Sequence, residues 1–70
     1  MFEILVNGIA RTYRDTEDMA IDAAKVLRGR DKSEITVINL DTRQWLVIVD
    51  PYGPAPDWKQ GPTALRQSGS

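Results

Sequence analysis

Apolar and polar positions alternate on both sides of Asn7-Gly8: Phe2-Glu3-Ile4-Leu5-Val6 precedes the pair and Ile9-Ala10-Arg11-Thr12-Tyr13 follows it. A two-residue Asn-Gly connection favours the type I′ turn, whose twist matches that of the flanking strands, so the segment predicts a β-hairpin. An unbroken ladder sets Val6 opposite Ile9, Ile4 opposite Arg11 and Phe2 opposite Tyr13. One face then carries Phe2, Ile4, Val6, Ile9 and Tyr13, and the other carries Glu3, Leu5, Ala10 and Thr12.

The period changes after Arg14. Asp15-Thr16-Glu17-Asp18 offers two N-cap residues and first-turn acids, which the positive end of a helix dipole favours. The expected helix runs from Thr16 to Arg28, with Gly29 as the residue beyond its C-terminus and with Lys25, Arg28, Arg30 and Lys32 supplying cations there. Helical spacing gathers Thr16, Met19, Ala20, Ala23, Ala24, Val26 and Leu27 into a core stripe. Glu17, Asp18, Asp22, Lys25 and Arg28 face solvent, and Ile21 stands among them as an isolated exposed apolar residue.

Glu34-Ile35-Thr36-Val37-Ile38-Asn39 is rich in β-branched residues and predicts a third strand, and Trp45-Leu46-Val47-Ile48-Val49 predicts a fourth after the turn-like Asp41-Thr42-Arg43. A three-residue loop would set Val37 against Val47 and Ile35 against Val49, whereas a four-residue loop would set Ile38 against Val47. Arg43 stands where the three-residue loop favours glycine. The fourth strand is apolar on both faces, which suits a central position. A right-handed crossover through the helix makes the second and third strands parallel. The expected sheet order is therefore second, first, fourth, third, with the third strand at an edge.

From Pro51 the composition shifts to proline and glycine, at Pro51, Gly53, Pro54, Pro56, Gly61, Pro62 and Gly69. The expected organisation is a single α+β domain over residues 1–50, a ββαββ unit with one helix packed on a mainly antiparallel four-stranded sheet. A flexible Pro/Gly-rich C-terminal tail, largely disordered, follows over residues 51–70. Tyr52 and Trp58 leave two readings open: they fold back over the sheet face that the helix leaves bare, or they are incidental aromatics in a mobile tail.

The run Tyr13-Arg14-Asp15-Thr16-Glu17-Asp18-Met19-Ala20, continuing to Ala23-Ala24 and then to a β segment closed by Asp41-Thr42, resembles short bacterial proteins of unknown function. These combine a β-hairpin, a helix beginning near an aromatic-x-Asp-Thr sequence, and further β structure. The resemblance spans residues 2 to 49 and implies the same hairpin-helix-hairpin organisation. It carries no catalytic or binding residue onto this chain.

Composition narrows the chemistry. A chain of 70 residues buries only about 60% of the surface its unfolded form exposes, so a homodimer is one way to add burial. The absence of cysteine removes disulfides and thiolate chemistry, and a small domain without such staples fits a cytoplasmic location. The N-terminus leads into a strand without a basic and apolar leader, so neither export nor a membrane span is expected. The absence of histidine removes the usual general base near neutral pH and the commonest metal ligand. Asp15, Asp18 and Asp22 share a helix face but lack the other ligands of a calcium site, and Ser33, Ser68 and Ser70 have no neighbouring base. No enzyme activity, cofactor or metal is expected.

Two binding readings remain. The preferred one is a protein-protein interaction module, self-associating or binding a partner through a sheet face or edge strand, with Ile38, Leu40, Trp45, Leu46, Ile48, Tyr52 and Trp58 as the candidate surface. The alternative is a nucleic-acid-binding module that contacts phosphates through Arg11, Arg14 and Arg43. Nine basic against ten acidic residues, a net charge of −1 and a pI near 5.2 weigh against it.

Overall fold

The structure is a computed structural model and describes residues 1–61. The chain forms β1 (Phe2–Val6), β2 (Ile9–Arg14), α1 (Glu17–Asp31), β3 (Ile35–Asn39) and β4 (Trp45–Ile48). One helix packs on a four-stranded antiparallel sheet, the α+β architecture expected from the hydrophobic pattern.

Asn7 and Gly8 both take positive φ, 52° and 84°, as a type I′ turn requires. Asn7 also bonds outside its hairpin. Its N–H donates to the Glu34 carbonyl at 2.8 Å, and its Oδ1 accepts from the Glu34 N–H at 3.1 Å. The turn is therefore tied to the residue that leads into β3.

The β1–β2 ladder is interrupted. Val6 pairs with Ile9 and Leu5 with Ala10, but Ile4 then pairs with Thr12, Glu3 with Tyr13 and Phe2 with Arg14. Arg11 is the extra residue of a β-bulge, so the expected pairs of Ile4 with Arg11 and Phe2 with Tyr13 do not form. The slip puts Thr12 and Arg14 on the face of Ile4 and Phe2, and sends Tyr13 to the opposite face beside Glu3. There the Tyr13 hydroxyl donates to Glu3 Oε2 at 2.9 Å. Glu3 is 4% exposed, and a buried carboxylate is costly without donors. The bulge supplies one.

In α1, Thr16 is the N-cap, its Oγ1 accepting from the Met19 N–H at 3.3 Å. The C-cap is Lys32, left-handed at φ 55°, whose N–H donates to the Arg28 carbonyl at 3.0 Å. The helix thus runs through Gly29 instead of ending before it. An interior glycine costs about 1 kcal/mol relative to alanine, which weakens a helix without breaking it. The buried strip is centred on Ala20 and Ala24, with Ala23, Leu27 and Ile21 packed around them. Ile21 is therefore a core-flanking residue and not an isolated exposed one. Met19 and Val26, expected in the stripe, are both more than half exposed.

The sheet order is β2-β1-β3-β4, with every neighbouring pair antiparallel. β2 and β3 point the same way, as the crossover implies, but β1 lies between them. β1 and β3 are central and β4 is outermost, which reverses the expected positions of the last two strands. In the second hairpin Ile38 pairs with Trp45, Val37 with Leu46, Thr36 with Val47 and Ile35 with Ile48, so neither expected register forms. Residues 40–43 make its loop. Arg43 takes φ 68° without being glycine, and its N–H donates to the Asn39 carbonyl at 2.7 Å. Asn39 Oδ1 accepts from the Asp41 and Thr42 N–H groups, so the loop is held by the side chain of the last β3 residue.

The helix-side core contains Phe2, Ile4, Ile35, Val37, Leu46 and Ile48 with Ala20 and Ala24. On the other sheet face Glu3, Leu5, Thr36 and Ile38 are buried. The first part of the proline-rich segment packs on the domain. Lys59 and Trp45 exchange backbone hydrogen bonds of 2.7 and 3.0 Å along the outer edge of β4. Trp58 turns to the helix side, its ring centroid 6.0 Å from that of Phe2 and its Nε1 donating to Glu17 Oε2 at 3.4 Å. Residues 62–70, nine of the twenty in the expected tail, lie outside the described residues.

Candidate functional site

The bulge and the length of the helix together build a groove. Arg11 lines it from β2 with Thr12 and Arg14, which the bulge turns to the helix side, and α1 supplies Ala23, Val26, Leu27 and Arg30. The four helical residues follow the i, i+3, i+4, i+7 spacing of one helix face. The groove is open and measures about 440 Å³. Its floor is apolar, lined by Ala23, Val26 and Leu27, and its rim is cationic.

The arginines are held in different ways. Arg14 is half-buried, and its Nη1 donates to Thr12 Oγ1 at 2.6 Å and to the Tyr13 carbonyl at 2.7 Å. That leaves its other guanidinium N–H groups for a ligand. Arg11 and Arg30 are exposed. Among the described residues no carboxylate lies within ion-pair distance of any of the three; an ion pair does join the Met1 ammonium to Asp41, at 3.3 Å. A second shallow groove adjoins the first along the helix, sharing Val26 and Arg30 with it and adding Lys25, Gly29, Pro51 and Tyr52.

The residues expected to form one interaction surface are dispersed. Leu46 and Ile48 lie under the helix in the core, and Trp58 packs on that same side. Ile38 is buried on the opposite face, where its partner Trp45 is half-buried, with the indole N–H donating to the Gly61 carbonyl at 2.9 Å and Lys59 Nζ 5.4 Å from its ring centroid. Leu40 sits in the β3–β4 loop, and Tyr52, 91% exposed, belongs to the second groove. No single patch contains them. Of the arginines considered for nucleic acid, Arg11 and Arg14 come together, whereas Arg43 lies in the β3–β4 loop and does not line the groove.

Arg30 had appeared only as a cation at the helix end. Its groove position was signalled by the spacing from Ala23 and Val26, which becomes visible once the helix is continued through Gly29. Among the described residues no three side chains converge on a metal-sized site, and no helix is long and apolar enough to cross a membrane. Ser33 lies between α1 and β3, and Ser68 and Ser70 lie outside the described residues. No protein family, curated protein or solved structure matches this chain.

Proposed function

We propose that the chain is a non-catalytic protein-interaction module whose contact surface is the groove between β2 and α1. The observation that carries this reading is the pairing of an apolar floor, with Val26 55% exposed, and three arginines that have no carboxylate partner among the described residues. Floors of that kind gain free energy when water is displaced by an apolar side chain, and the arginine rim selects what accompanies it. Self-association is the simplest form of the reading. Among the described residues no strand pairs with the outer edge of β2, although its bulge hinders regular edge-to-edge pairing.

Nucleic-acid binding is the second reading, favoured by the meeting of Arg11 and Arg14 in one groove with Arg30. The overall charge of −1 opposes it, because a non-specific binder draws most of its affinity from a cationic field.

The test is photo-crosslinking from position 26 in the groove against position 49, an exposed apolar position outside the groove lining, with light scattering on the purified chain. Adducts that form from position 26 and disappear in Arg11→Glu support the groove, and a dimer mass that falls to a monomer in the same variant makes the partner a second copy. Equal adduct patterns from both positions remove the groove reading, and nuclease-sensitive adducts transfer it to nucleic acid.

A further inference from the structure

We infer that the groove between β2 and α1 takes an acidic peptide segment with an apolar side chain, the carboxylates meeting Arg11, Arg14 and Arg30 and the apolar group resting on Val26 and Leu27. The inference rests on the interaction reading above and adds the chemistry of the partner. Three features select that chemistry.

The first is the bulge. In a regular hairpin Arg11 would face the helix opposite Ile4 while Thr12 and Arg14 fell on the other face, and the extra residue instead turns Thr12 and Arg14 to the helix side, into the groove beside Arg11. Bulges are a recurrent means of re-aiming side chains of an edge strand. The second is pre-organisation. Arg14 is anchored through Nη1 by Thr12 and the Tyr13 carbonyl, so the planar group is held in place before a ligand arrives and its remaining donors suit a carboxylate. The third is the floor. A phosphate backbone has no use for exposed valine and half-buried leucine, whereas a peptide side chain does. The open shape also fits an extended segment better than a small molecule, which needs most of its surface enclosed.

Amide chemical shifts of the labelled full chain, titrated with a short synthetic peptide carrying two glutamates around one leucine, test this. Saturable shifts at Arg11, Thr12, Arg14, Ala23, Val26 and Arg30 are expected, weakening as salt is raised. Exchanging both glutamates for glutamine should cost about tenfold in affinity or more, as should the double variant Arg11→Gln/Arg30→Gln. Both arginines are exposed, and the spectra of that variant report its fold directly. The inference is overturned if the glutamine peptide binds equally well, if no peptide shifts the groove, or if a duplex oligonucleotide shifts the same amides more strongly. Groove-dependent crosslinks that persist in any of these cases would leave the interaction reading standing and remove only the acidic partner.

Discussion

Asn7 joins two jobs that are separable by substitution. Its left-handed conformation closes the first hairpin, and its side chain holds the N–H of Glu34, a residue distant in sequence. The turn was legible, because Asn-Gly between apolar runs has few other uses. The second job was not, since a side chain that accepts a hydrogen bond from a distant backbone group leaves no local mark. Asn7→Ala is expected to lose about 1–2 kcal/mol in a urea titration, from the lost acceptor and from an alanine held at positive φ. Asn7→Gly relieves the backbone and keeps its N–H bond to the Glu34 carbonyl but loses the side-chain acceptor for the Glu34 N–H, so it should lose about 1 kcal/mol or less. A glycine variant as stable as the parent would show that the side-chain bond to Glu34 contributes nothing.

Helix and strand identities followed from periodicity, but their ends and neighbours depended on contacts that periodicity does not encode. Gly29 illustrates the helix. Read locally it is a terminator, yet the chain continues to Asp31 and caps on Lys32. A β-carbon at Gly29 would lie 3.7 Å from Pro51 Cβ, an ordinary packing distance. Gly29→Ala is therefore expected to stabilise the protein by about 0.5–1 kcal/mol in thermal unfolding, whereas alanine forced into a left-handed C-terminal position would destabilise it. The sign of the change decides between the two conformations.

The sheet order shows the other side of this. β4 is apolar on both faces, and an apolar strand suggests a neighbour on each side. Its second neighbour is not a strand of the sheet proper. Lys59 pairs along its outer edge, Trp58 covers one side near Phe2, and the Trp45 indole reaches Gly61 on the other. The apolar character was genuine and its cause lay in the segment after the domain. The β1–β2 bulge was likewise silent, having no glycine or proline to announce it, and it alone changed the faces of Thr12, Tyr13 and Arg14.

At the scale of the whole molecule, the described part of the proline-rich segment completes the packing at β4, and the groove lies at the opposite edge, where β2 and α1 diverge. The site was half legible. Arg11 and Arg14 stood out as strand arginines, while Arg30 was hidden by the helix end expected at Gly29, and Arg43 lies in the β3–β4 loop, outside the groove lining. The apolar surplus of the last two strands, which pointed to a sheet-face interface, proved to be shared between two buried layers.

The most direct measurement of the central claim is a charge-exchange cycle between the chain and the glutamate peptide. Arg30→Glu should weaken binding about tenfold, and a peptide with lysine in place of glutamate should bind the parent chain as poorly. Combining the two should restore part of the loss, with a coupling of about 0.2–1 kcal/mol, as for an exposed ion pair. Losses that simply add, with no recovery in the combined pair, would contradict the assignment of this groove as the place where an acidic partner is held.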